Sequence, residues 1–327
     1  MINPTQHLLH KAVNNGPLNI LCASTHERYQ KNLANTGHNF YAVKLNEHCK
    51  LWDSKYGSMP SNYVELPNGK IPSYLSFDLV LIQHIFGQYQ AFMPIAQQMH
   101  IPTCRIEHTT RMPWWDRKMM HNLNQMRCDI NVFITDDSIQ KWEWEDRGTT
   151  VVLKHGVDTE LFRPHNLPRK NTILTVANDY PGRDAVLNFT QFKNVTKDLP
   201  ISPVGDSPGF SKSASSVEEL IKIYNTSRIF LNTAHLSPIP SSLLESASME
   251  NAIVSCNTCG ISEFLTNGVD AFLVNSDEEM RDRLQLLLAD EDLSTEMGKK
   301  ARETIIKKCS MERFVNEWNT VFKAIRN

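Results

Sequence analysis

No apolar run in this 327-residue chain approaches the ~20 residues needed to cross a bilayer. Its opening, MINPTQHLLHKAVNNG, also lacks the apolar core of a secretory signal. The expected compartment is therefore the cytoplasm. The chain has little net charge: 34 Lys and Arg stand against 36 Asp and Glu, a formal charge of -2. That balance excludes a global pull toward nucleic acid or acidic lipid, so any such surface must be local. The seven cysteines are odd in number and scattered, unlike a disulfide framework. Cys256 and Cys259 have CxxC spacing, but no second pair stands nearby to complete a structural zinc site, and they read as small core residues in a turn. No GxGxxG follows any candidate strand, and the first loop reads STHERYQ, which disfavours a dehydrogenase.

What is present is alternation. Short β-branched-rich runs recur: NILCA from Asn19, FDLVLIQ from Phe77, DINVFIT from Asp129, TTVVLK from Thr149, NTILTVA from Asn171, RIFLNTA from Arg228 and NAIVSC from Asn251. Such runs read as buried strands of parallel sheets. Between several of them lie helical patterns such as VEELIKIYNTS and SSLLESASMEN, giving an α/β reading with right-handed crossovers. A hydrophobic content of 41% over this length exceeds what one compact core usually holds, which points to two domains and a cleft between them. The segment GVDTELFRPHNLPRKN, with Pro164 and Pro168, breaks both periodicities and reads as the linker. We expect an N-terminal domain over 1–165, a second over 166–310, and a last helix over 311–327. That helix carries Phe314, Trp318, Phe322 and Ile325 on one face and is expected to pack back across the cleft.

Four pieces of the second half then carry a resemblance, in order and with matching spacing. They are VVLKHGVDTELFRP, ILTVANDYPGRDAV, PIPSSLLESASMENAIVSCNTCGISEFLTNGVDAFLV and DEDLSTEMGKKARETI, over about residues 151 to 310. Together they resemble the donor domain of GT-B glycosyltransferases of the family-4 type, the glycosyl transferases group 1. The resemblance implies two Rossmann-like domains facing a central cleft, with the acceptor held by the first and a nucleotide-diphosphate sugar by the second. It also implies retention of anomeric configuration and no bound metal or other cofactor. The absence of a DxD motif between a strand and a loop agrees with the last point.

Residue by residue, Glu245 matches the family's carboxylate for the donor ribose hydroxyls, where ionisation gives short charge-assisted bonds. Pro240, Ser241 and Ser242 read as a helix start that could hold a diphosphate. Arg183 matches one of two family cations that neutralise the leaving diphosphate, and the other position holds Asn178. Ser237 stands where the family has a glutamate on the sugar hydroxyls, which favours a pentose or other unusual sugar. His108, ending IPTCRIEH, matches a position facing the donor sugar, suited to hydrogen bonding or proton transfer.

On the acceptor side, His26, Glu27 and Arg28 follow the first strand and point at the cleft by topology. His155 and Asp158, in the interdomain segment, read as structural. The segment from Arg105 to Arg127 adds five cations, Arg111 among them, to two acids, with Trp114 and Trp115 inside. This mixture suits unstacked bases, a membrane surface or nothing in particular. The acceptor is accordingly a saccharide or small molecule, a lipid-linked glycan met at a membrane periphery, or a modified nucleic-acid base. With two family charges replaced, a noncatalytic nucleotide-sugar-binding protein stands as the alternative.

Overall fold

The computed structural model describes residues 16–54, 57–66, 69–146 and 148–326. Among them are twelve strands in two sheets. The first sheet is built from β1 (Asn19–Cys22), β2 (Asn39–Ala42), β3 (Tyr63–Glu65), β4 (Leu79–Ile82), β5 (Thr103–Glu107), β6 (Ile130–Phe133) and β7 (Thr150–Val152), in the order β3-β2-β1-β4-β5-β6-β7. The second comprises β8 (Lys170–Val176), β9 (Ile201–Val204), β10 (Ser227–Asn232), β11 (Ala252–Cys256) and β12 (Phe272–Val274), in the order β12-β11-β10-β8-β9. All strand pairings within both sheets are parallel. Parallel sheets are covered on both faces, which is why β4 and β11 are buried at every position.

The first sheet is served by α1 (Glu27–Ala34), α2 (Ile85–Met99), α3 (Arg117–Asn124) and α4 (Asp136–Lys141). The second is served by α5 (Asp184–Leu187), α6 (Phe189–Val195), α7 (Val217–Thr226), α8 (Ser241–Ser248), α9 (Asp277–Ala289) and α10 (Glu291–Cys309). The starts of α7 and α9 show the usual chemistry. Ser216 and Ser276 accept the amides of Glu219 and Glu279, with acids filling each first turn.

The last helix, α11 (Met311–Arg326), returns from the second domain to pack on α1. Phe314, Trp318 and Phe322 are fully buried, and the Trp318 indole N–H donates to the Tyr29 hydroxyl at 3.1 Å. One apolar cluster therefore runs from the first sheet through Val157 and Phe162 to α8, α10 and α11. A second seam joins the domains at the turn around Gly260. Its φ is +74°, and a Cβ there would lie 2.7 Å from that of Thr135, so only glycine allows the approach. Beside it, the Glu263 carboxylate accepts the first amides of α4, Asp136 N at 3.1 Å and Asp137 N at 2.9 Å.

Candidate active site in the interdomain cleft

Ligands of open parallel sheets bind beyond the strand C-termini, where the strand order reverses. The first sheet reverses between β1 and β4, and the second between β8 and β10. The loops after β1, β5, β8 and β10 accordingly line one cleft of about 1370 Å³, with walls from both domains.

On the second-domain wall, β8 runs into the loop Ala177–Arg183. Asp179 takes φ +49°, and the space beside Gly182 is filled by the Asp179 carboxylate, 2.3 Å from where a Cβ would lie. The turn closes with Arg183 N donating to Asp179 O at 2.9 Å, which leaves the Arg183 side chain exposed at the cleft. It has no acidic partner among the described residues. Asn178 also lines the cleft, but its side-chain carbonyl accepts Asp206 N at 2.9 Å and ties this loop to the one after β9. Gly205, at φ +134°, lets the two loops touch: a Cβ there would lie 1.9 Å from Ala177 O.

Helix α8 differs from α7 and α9 in that Pro240 starts it without a side-chain cap. Ser242 Oγ instead donates to Val176 O at 3.2 Å, which fixes the helix start against β8. Ser237, Pro240, Ser241 and Ser242 all line the cleft, so uncapped amides and the positive end of the helix dipole face it. One turn further, Glu245 is only 5% exposed. Its Oε1 lies 2.9 Å from Arg28 Nε, and its Oε2 accepts the Tyr224 hydroxyl at 3.1 Å. Burial raises the Glu245 pKa, opposed by the Arg28 charge and the Tyr224 bond.

The first-domain wall is chemically different. His108 and His155 flank Tyr29, with ring centroids 4.6 and 5.4 Å from its own, and His26 packs on His108 at 5.3 Å. Burial holds His155 neutral, its pKa lowered to about 3 by desolvation first and by neighbouring positive charge second. His26 stands exposed at the rim of the cleft, with its pKa shifted in the same direction. His108 is likewise held well below the usual range, and its Nε2 is buried without a hydrogen-bond partner among the described residues. The outer part of this wall mixes Glu27, Glu47 and Asp53 with Lys44 and Lys50.

Several expected contacts lie elsewhere. Arg28, read as an acceptor contact, is engaged across the cleft with Glu245. Arg111, Trp114 and Trp115 do not line the cleft. Arg111 pairs with Glu143, Trp115 packs against Phe86 and Trp142 at 8% exposure, and Trp114 projects outward at 61%. Arg105 is buried among Phe133, Trp142 and Trp144, and Arg127 pairs with Asp146, so with Arg111 three of the segment's five cations are engaged within the domain, while Arg117 and Lys118 at the start of α3 are exposed. Cys256 and Cys259 are free, buried thiols that donate to Gln191 Oε1 and His235 O, both at 3.1 Å. Burial raises both pKa values, that of Cys256 to about 12. Among the described residues no group of three or more His, Cys, Asp or Glu could hold a metal ion. Tyr224, Tyr29, Lys44 and Lys50 were not singled out in the sequence. Tyr224 carries no motif signal, because only the packing of α7 on β10 brings it to Glu245.

Two parallel-sheet domains closing a ligand cleft between their strand C-termini define a GT-B protein. Residues 206–304 match the family described as glycosyl transferases group 1. No curated protein matches the chain by sequence. Among solved structures, the chain is similar to Anabaena HepE in complex with UDP and glucose, at 10% identity and a TM-score of 0.74 over 94% of this chain and 100% of that one. It is also similar to sucrose-phosphate synthase from Thermosynechococcus elongatus, at 12% identity and 0.72 over 94% and 99%. A Rickettsia africae glycosyltransferase follows at 14% identity and 0.64 over 94% and 98%. The architecture is thus the GT-B fold, and its second domain carries the glycosyl transferases group 1 match. No described helix is long and apolar enough to cross a membrane.

Proposed function

We propose that this protein transfers a sugar from a nucleoside-diphosphate sugar to an acceptor hydroxyl, with retention and without a bound metal or other cofactor. The observation that carries the reading is the convergence of the exposed Arg183 and the uncapped start of α8 on one cleft wall, with the carboxylate of Glu245 one helical turn behind them, bordering the adjoining cavity beside Arg28. These three meet the needs of a leaving diphosphate and its ribose. The cation and helix amides stabilise charge that grows as the glycosidic bond breaks, and the carboxylate accepts from a diol. HepE has been crystallised with UDP-glucose, which supports a nucleotide sugar as donor.

Across the cleft, His108 is a neutral imidazole with an unused Nε2, suited to a sugar hydroxyl rather than to service as a standing cation. The acceptor hydroxyl attacks from the face the diphosphate leaves, and the departing phosphate oxygen takes its proton. Ser237 lines the sugar end of the cleft as a neutral hydroxyl, consistent with a pentose or another sugar that does not require a carboxylate there. The mixed acids and lysines around His26 and Glu27 fit a neutral polyhydroxylated acceptor, since each sign of group serves one end of a hydroxyl dipole. A saccharide is favoured over nucleic acid for that reason.

The test incubates the protein with UDP-, GDP-, ADP- and dTDP-sugars, hexoses and pentoses, with and without saccharide acceptors. Release of nucleoside diphosphate is measured, and the anomer of the product is read by NMR. Acceptor-stimulated release with a retained anomer is expected. Binding without release from any donor would make the chain a nucleotide-sugar-binding protein instead.

A further inference from the structure

On the reading that this cleft takes a nucleoside-diphosphate sugar, the geometry points to Arg28 as a second catalytic cation. Glu245 holds it in this structure, and it passes to the donor diphosphate when the ribose hydroxyls engage that carboxylate. The second-domain wall offers one guanidinium, Arg183, while the side-chain carbonyl of Asn178 is bound to the Asp206 amide. A diphosphate that gains charge as it leaves is served better by two cations than by one. Arg28 is the arginine that the first domain brings to the same cleft, one helical residue beyond Glu27.

Its placement is that of a group in transit. The guanidinium lies between two cavities: it borders the main cleft and also a smaller one of about 570 Å³, whereas Glu245 borders only the smaller. Arg28 therefore stands between the carboxylate and the main cleft, with its Nε 2.9 Å from Glu245 Oε1 and its Cζ over the Phe162 ring, 5.2 Å from the centroid. Of the two partners of Glu245, Tyr224 is fully buried, and Arg28 is the one with a long stem and partial exposure.

Ribose hydroxyls arriving at Glu245 replace the Arg28 bond and keep the carboxylate satisfied. The displaced guanidinium then needs an anion, and a diphosphate in the same cleft matches its planar fork. After the exchange Glu245 is held by neutral hydroxyls, those of the ribose and of Tyr224, while Arg28 is paired with the diphosphate. The cation arrives only when the ribose is seated, so binding energy from the nucleoside is used at the reacting phosphate.

Calorimetry on the full chain with uridine, guanosine and adenosine, and with UDP, GDP and ADP, separates the possibilities. For the nucleotide that binds best, Arg28→Ala is expected to weaken the diphosphate by about 10- to 100-fold. The matching nucleoside should bind at least as tightly as to the wild type, because its competitor for Glu245 is gone. Donor turnover falls in kcat, and adding Asn178→Arg to Arg28→Ala restores both diphosphate affinity and turnover by returning a cation to the opposite wall. Arg28→Lys, which keeps the charge without the fork, gives an intermediate loss and guards against a folding defect in the alanine variant. Equal weakening of nucleoside and diphosphate would show a merely structural pair and overturn the proposal, as would tightening of both. A wild type that binds no nucleoside diphosphate removes the functional reading beneath it, a separate failure visible before any variant is made.

Discussion

The two walls of the cleft are made in opposite ways. The second-domain wall is a backbone construction: a left-handed Asp179, a glycine at 205 forced by contact with the Ala177 carbonyl, and a helix start that Pro240 leaves uncapped. Its one free-standing charge, Arg183, is exposed. The first-domain wall is a side-chain construction, in which His108 and His155 pack on Tyr29, itself held by Trp318 from the far end of the chain, and His26 packs on His108 at the rim. The first kind of wall suits a ligand part common to many donors, the diphosphate. The second suits a part that varies, since its shape depends on how buried rings pack.

That contrast can be broken at its strongest point by Arg183→Ala. If the exposed guanidinium meets the leaving diphosphate, kcat should fall by about 10²- to 10³-fold with little change in melting temperature. A comparable loss of stability would instead make it a structural cation. The complementary change on the other wall is Trp318→Ala, which empties a fully buried site and removes the donor to Tyr29. Here stability should drop by about 3–5 kcal/mol in denaturant unfolding, and the histidine cluster loosens with it. Trp318→Phe, which keeps most of the volume, should cost much less.

The buried imidazole makes a pH prediction of definite sign. With a folded pKa near 3 for the buried His155, below the unfolded value of about 6.5, the unfolded chain binds more protons in that window. Its contribution is fully present above pH 6.5 and is lost as the pH falls toward 3. Melting temperatures measured from pH 7.5 to 4.5 should decline, and less steeply in His155→Asn. A flat profile would mean the ring is not held neutral. The smallest effect is expected of Trp114→Ala. An exposed ring outside the cleft should change stability by no more than about 0.5 kcal/mol and leave turnover unaltered. A large loss of activity there would return the acceptor to the Arg105–Arg127 segment.

All seven apolar runs picked out in the sequence contain or overlap strands, because a strand buried on both faces must be continuously apolar. Of the five strands outside those runs, β2, β3 and β9 are short and carry exposed or half-buried positions, so their composition is diluted. β5 and β12 are buried throughout, but β5 carries Thr103, Arg105 and Glu107, and β12 has only three residues, too few for a run to stand out. The group 1 resemblance was readable for a related reason. A loop with positive φ, a glycine in contact or a proline at a helix start tolerates few residue types, and therefore repeats as letters.

The opening absences bounded the chain to a two-domain α/β protein without a membrane-spanning run, and its second-half motifs marked Glu245, Arg183 and the start of α8. Which side chains meet across the cleft was decided only in three dimensions. Arg28 meets Glu245 although more than 200 positions separate them, and Trp318 meets Tyr29 from 289 positions away. Such contacts leave no periodicity or spacing to read, because they depend on how two separately patterned domains are docked. The same is true of Trp115 and Arg105. As letters they composed a basic aromatic patch, and packing turned one into core and caged the other among rings.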